Sequence, residues 1–158
     1  MTPTLNVSDR VLVLKDGISN INYGIGEIVV FYHPDTYVDV SQASKLVDSL
    51  KIWNYFDAPS QTVYIKRIIG LPGDVIKIDT LGNIYRNNEL LTFKGILNET
   101  FTKQEKFSVP NDSYFLLGDN RSNSQDSRVF GYVPVDNLIG KAFYVVYPYE
   151  NIQILDND

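Results

Sequence analysis

Seven short runs of β-branched and aromatic residues, each bounded by Gly, Pro, Asn or Asp, most narrow the folds open to this chain. They are RVLVLK (10–15), EIVVFY (27–32), TVYIKRII (62–69), DVIKID (74–79), NIYRN (83–87), SYFLLG (113–118) and KAFYVVY (141–147). Most alternate only in part, which suits strands covered on both faces, so the fold class expected is mainly β, with two packed antiparallel sheets. TLGN, between the fourth and fifth runs, reads as a hairpin turn, since Gly82 and Asn83 tolerate positive φ. The 158 residues suit one domain, 1–158.

One stretch has a helical period instead. SQASKLVDSLKIW (41–53) spaces Leu46, Val47, Leu50 and Trp53 as one face of a helix, with Ser41 as N-cap, inside an insertion spanning 34–62. Such a stripe usually covers a core; Trp53, Tyr55 and Phe56 make contact with a membrane interface the alternative. From Glu89 to Asp112 the chain is mixed and polar and reads as a surface excursion, with 80–112 a small β-hairpin unit. The sequence has no run of about 18 apolar residues to span a membrane.

Charge and absent residue types exclude several chemistries. Fourteen Lys and Arg against 19 Asp and Glu give a net charge of -5, which argues against nucleic acid as a partner. With no Cys and only His33, thiol nucleophiles, disulfides and Cys/His metal clusters are excluded, and neither metal nor cofactor is expected. His33 precedes Pro34 in FYHPD, where a strand-end turn is the ordinary expectation. Carboxylate or lysine chemistry is left.

TVYIKRIIGLPGD (62–74) sets two cations inside an apolar run. Alternation places Tyr64, Lys66 and Ile68 on one face and Ile65, Arg67 and Ile69 on the other. If the first face is buried, the Lys66 ammonium is desolvated and its pKa falls, leaving an amine that can act as a base. Each unit of depression costs about 1.4 kcal/mol, which a domain stable by roughly 5–15 kcal/mol carries once and not idly. The ordinary alternative is a lysine whose stem covers apolar surface while its head stays wet.

A second stretch, LLGDNRSNSQDSRVFGYVP (116–134), packs turn formers, two arginines and two aspartates between apolar strands. Asp126 can pair with Arg128, two residues away, and Asp119 is a partner for Arg67. Alone, this loop is equally a self-satisfying structural turn.

Together, YIKRIIGLPGD (64–74), GDNRSNSQDSR (118–128) and the opening MTPTLNVSDRVLV (1–13) closely resemble, in order, the conserved boxes of bacterial type I signal peptidases. The resemblance implies a membrane-anchored endopeptidase that removes signal peptides from exported preproteins with a Ser-Lys dyad and no cofactor. Its catalytic domain would stand on the extracytoplasmic side of the bacterial cell membrane, against the membrane surface. By resemblance Lys66 is the general base and Ser124 the hydroxyl that holds its amine, while Asp119 with Arg67 and Asp126 with Arg128 form the scaffold. Met1, Leu5, Val30, Tyr64 and Ile65 correspond to walls of shallow pockets for small side chains at positions minus one and minus three of the signal peptide. The family's nucleophile is the serine before the methionine of an S-M-x-P-T pattern, and here the pattern opens at Met1, so that serine is expected one position upstream. The alternatives are a binding module of the same fold that does not cut and, more remotely, a self-cleaving repressor-type protease, for which no DNA-binding helical region is visible.

Overall fold

A computed structural model describes residues 1–15, 21–35 and 63–155. The helix expected over 41–53, and nearly all of the 34–62 insertion, lie outside the described residues. Each of the seven runs forms a strand: β1 (Arg10–Lys15), β2 (Ile28–Tyr32), β3 (Val63–Gly70), β4 (Val75–Ile78), β5 (Ile84–Arg86), β8 (Ser113–Leu117) and β10 (Leu138–Tyr147). Four short strands join them: β6 (Glu89–Leu91), β7 (Glu105–Ser108), β9 (Val133–Pro134) and β11 (Gln153–Ile154). One sheet runs β1-β10-β2-β3-β8-β9, with β11 also on β10; the other runs β6-β5-β4-β7. Every strand pair is antiparallel. Among the described residues, no helix is long and apolar enough to cross a membrane.

β3 and β8 are central because their alternate side chains enter different cores. Ile68 and Leu116 join Val29, Phe31 and Val133 on one face, whereas Ile69, Phe115 and Leu117 meet Ile76, Ile78 and Ile84 of the smaller sheet on the other. Burying each such side chain contributes about 1.5–3 kcal/mol, so the middle of β3 is among the best-held backbone in the molecule. A third cluster, Leu5, Ile28, Ala142, Val145 and Leu155, fastens the start of the chain to β10.

The corner from β3 to β4 explains the Gly/Pro turn after the lysine. Gly73 takes φ +84°, and the Asp74 carboxylate accepts hydrogen bonds from Leu71 N at 2.8 Å and Asn87 Nδ2 at 2.7 Å while pairing with Arg86. This knot sends the chain from the large sheet to the small one immediately after the strand that carries Lys66.

The polar excursion of 89–112 is more ordered than its composition implies. It supplies both edge strands of the smaller sheet, and it reaches the polar loop, with Leu97 N donating to Asp119 O at 3.0 Å and Arg121 N donating to Leu97 O at 3.2 Å. Edge strands show half their surface to water, so their sequences carry few apolar residues.

Candidate active site

Lys66 is positioned by its register. It faces Val29 across the β2–β3 ladder, on the face it shares with Tyr64 and Ile68, and Val29 and Ile68 are fully buried. Burial lowers its pKa from the ordinary lysine value, and Arg128 acts in the same direction; Asp126 and Asp119 oppose the shift without cancelling it. The ammonium lies 5.9 Å from the centroid of the Tyr64 ring.

Residues 118–128 form the loop facing it, and their polar groups satisfy one another. The neck closes where Gly118 N donates to Asp126 Oδ2 at 3.0 Å and Leu116 N donates to Ser127 Oγ at 2.9 Å. Asp126 caps the one-turn helix α1 (Ser127–Phe130) and holds Arg128 in a two-pronged pair, Nε to Oδ1 and Nη2 to Oδ2, both at 2.8 Å. Arg128 then donates to Arg121 O at 2.7 Å, and Arg121 Nε donates to Gly118 O at 3.0 Å.

Asp119 is wholly buried and forks onto Arg67: Nε to Oδ1 at 2.9 Å and Nη2 to Oδ2 at 2.8 Å. The remaining guanidinium nitrogen donates to Gly26 O at 2.7 Å. Thr4 also donates its hydroxyl to Asp119 Oδ2, which ties the start of the chain to this pair.

Both ion pairs read from the sequence therefore form. Ser124 is placed beside the lysine but not bonded to it: its hydroxyl is buried without a hydrogen-bond partner among the described residues. The two side chains flank Gly118. A Cβ built there would lie 3.6 Å from Lys66 Cδ, 2.7 Å from Ser124 Cβ, and closer still to Ser124 Oγ.

Val30, Tyr64 and Ile65 line an apolar groove of about 380 Å³, together with Val11, Val13 and Val63. Met1 and Leu5 do not line it; Leu5 is buried in the third core cluster, with Met1 and Ile65 packed against that cluster. The groove runs beside an open backbone edge, because β8 pairs with β3 only over Arg67–Gly70, leaving Val63–Lys66 unpaired on that side among the described residues. His33 follows directly after β2, with its ring against Tyr64 and Phe130.

Sequence reasoning missed Thr4, Gly118, Arg121 and Glu99. Arg121 is buried, which lowers its pKa to about 10, and Glu99 pairs with Arg128 at 3.4 Å from within the polar excursion. None of them belongs to an apolar pattern, and only the strict economy of the loop, where every donor needs an acceptor, could have singled them out.

Gly118 carries a direct prediction. Alanine there forces Ser124 aside, so Gly118→Ala is expected to lose about 1–3 kcal/mol in chemical denaturation, as overpacked sites do. Adding Ser124→Gly, which clears the space, should recover most of that; no recovery would mean that the strain lies elsewhere.

Comparison with known proteins points one way. The family model described as signal peptidase, peptidase S26, matches residues 1–147. The chain is 37% identical over 158 residues to a probable signal peptidase I-2 of Synechocystis sp., covering all of this chain and 64% of that protein. It is 32% identical over 159 residues to signal peptidase I U of Bacillus subtilis, covering 94% of this chain and 72% of that one. The chain thus spans about two thirds of the length of such relatives. Among solved structures, a signal peptidase I of Enterococcus faecalis V583 matches with a TM-score of 0.54 at 24% identity, covering 78% of this chain and 98% of that one, which establishes the shared fold.

Proposed function

The chain belongs to the signal peptidase, peptidase S26, family, and from that premise we propose that it is the catalytic portion of an endopeptidase that cuts signal peptides from exported preproteins with a Ser-Lys dyad. The observation that carries the reading is the partly desolvated Lys66 amine, set between the start of the chain and an unpartnered buried hydroxyl. Burial lowers the pKa of the Met1 amine, and the charge of Lys66 lowers it further. A serine joined to Met1 would enter the space at Lys66.

In this reading neutral Lys66 takes the proton of that serine's hydroxyl as its oxygen attacks the carbonyl carbon at position minus one. The resulting Lys66 ammonium returns the proton to the leaving amine as the peptide bond breaks. Water then gives a proton to Lys66 as its oxygen attacks the acyl carbonyl carbon, and Lys66 passes that proton to the departing serine oxygen, freeing the acid and restoring both groups. The buried Ser124 hydroxyl, which has no partner among the described residues, is assigned to hold the amine, and the Arg67–Asp119 and Arg128–Asp126 pairs hold the walls. The signal peptide lies extended along the open edge at Val63–Lys66, bonded through its backbone, with a small apolar side chain in the groove at Val30 and Ile65. Such a substrate arrives from a membrane surface, and the catalytic face is read as extracytoplasmic.

The test is to add a serine ahead of Met1 and supply a peptide with Ala-x-Ala before the cleavage site. Turnover is expected with the serine and absent when alanine replaces it. Its rate should climb with pH and level off above the lowered pKa of Lys66, that rise ending below 10.5. A serine-bearing chain that binds the peptide yet never cuts it would overturn the enzyme reading and leave a binding module.

A further inference from the structure

The segment after β10 lies beyond the residues that the family model matches, and it closes back onto the start of the chain. β11 pairs with β10 at Tyr144 and Val145, and Leu155 N donates to Phe143 O at 2.9 Å. From there it meets the opening segment at three places. Gln153 Nε2 donates to Thr4 O at 3.2 Å, and Asn151 Nδ2 donates to Asp9 Oδ1 at 3.0 Å. Leu155 is buried in the cluster with Leu5, against which Met1 and Ile65 also pack.

The opening segment needs such support because it has little structure of its own. It is a turn with Leu5 N donating to Met1 O at 3.0 Å, followed by a second turn in which Asp9 N donates to Asn6 O at 3.1 Å and Asp9 Oδ2 accepts from Asn6 N at 2.8 Å. Thr4 is gripped from both sides, its hydroxyl by Asp119 and its carbonyl by Gln153.

We infer that Gln153 and Leu155 are positioning residues: the carboxyl-terminal segment is a strap that sets the Met1–Leu5 turn, and whatever is joined to Met1, at the right distance from Lys66. The inference rests on the proposed catalytic reading for its purpose, though not for its geometry. Catalytic rates fall steeply when reacting groups drift by about 1 Å, so a turn held by so few bonds is where a strap has most effect.

Two measurements test it. In the chain as it stands, hydrogen exchange at the Leu5 and Asp9 amides is expected to rise about tenfold in Gln153→Ala and in Leu155→Ala. It should be unchanged in Ile154→Ala, whose side chain points to solvent. The Ile68 amide, bonded to Glu27 O, serves as an internal reference for global opening. In the serine-bearing chain, kcat per titrated active site should fall about tenfold in Gln153→Ala with KM within twofold, since Gln153 does not line the groove. If Leu155→Ala fails to fold, Gln153→Ala alone decides. Unchanged exchange at Leu5 and Asp9 overturns the strap, as does raised exchange with unaltered kcat. Absence of turnover in the parent overturns the catalytic reading instead, and the exchange result still stands.

Discussion

Replacing Lys66 with methionine is expected to abolish turnover in the serine-bearing chain and, at the same time, to make the protein harder to unfold. On the proposed reading the first effect is the loss of the base: positioned proton transfer contributes about 10²–10⁴-fold, and no other side chain on that face of β3 can take a proton at neutral pH. The second follows from burial. Methionine fills a similar volume with no charge to desolvate, so the free energy spent holding an amine against Val29 and Ile68 is recovered.

The sign of the pH dependence makes this separable from a packing effect. The folded Lys66 has a pKa below 10.5, the ordinary value expected of the unfolded chain, so the unfolded state binds more protons in the window between the two. Stability from this group therefore rises with pH across that window, and its cost is fully present below it. The advantage of Lys66→Met should be largest at neutral pH and shrink as pH approaches 10.5. Denaturation midpoints of both proteins at a series of pH values provide the check, and an advantage that does not vary with pH would sink the idea that desolvation is the cause. Salt should leave it nearly intact, because screening acts weakly on a group removed from water.

Much of this was legible in the sequence because the physical causes are local. Strands such as RVLVLK and SYFLLG announce themselves through branched and aromatic residues between turn formers, and the period of two places Lys66 with Tyr64 and Ile68 before any coordinates exist. The Arg67–Asp119 and Arg128–Asp126 pairs follow from the need to neutralise charges set among apolar strands. A β-hairpin unit was expected over 80–112, but the strands Glu89–Leu91 and Glu105–Ser108 were not legible one by one, since as edges they need only one or two inward side chains. Thr4 and Gln153 were hidden for a different reason: their partners lie 115 and 149 residues away, and a hydroxyl or a carbonyl leaves no pattern along the chain.

Asp119→Ala is expected to be the most destabilising single substitution in the site, costing about 3–5 kcal/mol, because it strands a guanidinium that is 3% exposed. Arg67 would keep its bond to Gly26 O and a long one to Thr4 Oγ1 at 3.5 Å, and Thr4 would lose its carboxylate acceptor, so the opening turn should loosen as well. Against a total of roughly 5–15 kcal/mol, such a loss leaves the fold marginal at best. The companion experiment decides whether the stranded charge is responsible. Removing it too, in Asp119→Ala with Arg67→Met, should recover about 2 kcal/mol relative to the single variant, since a buried pair replaced by apolar groups is often nearly neutral and the residual cost is the unpaired Gly26 carbonyl. Turnover should not return with stability, because the Thr4 anchor is still absent. Denaturant midpoints and single-turnover rates measure the two separately. A double variant no more stable than Asp119→Ala would mean that Asp119 holds the fold through Thr4 rather than through Arg67.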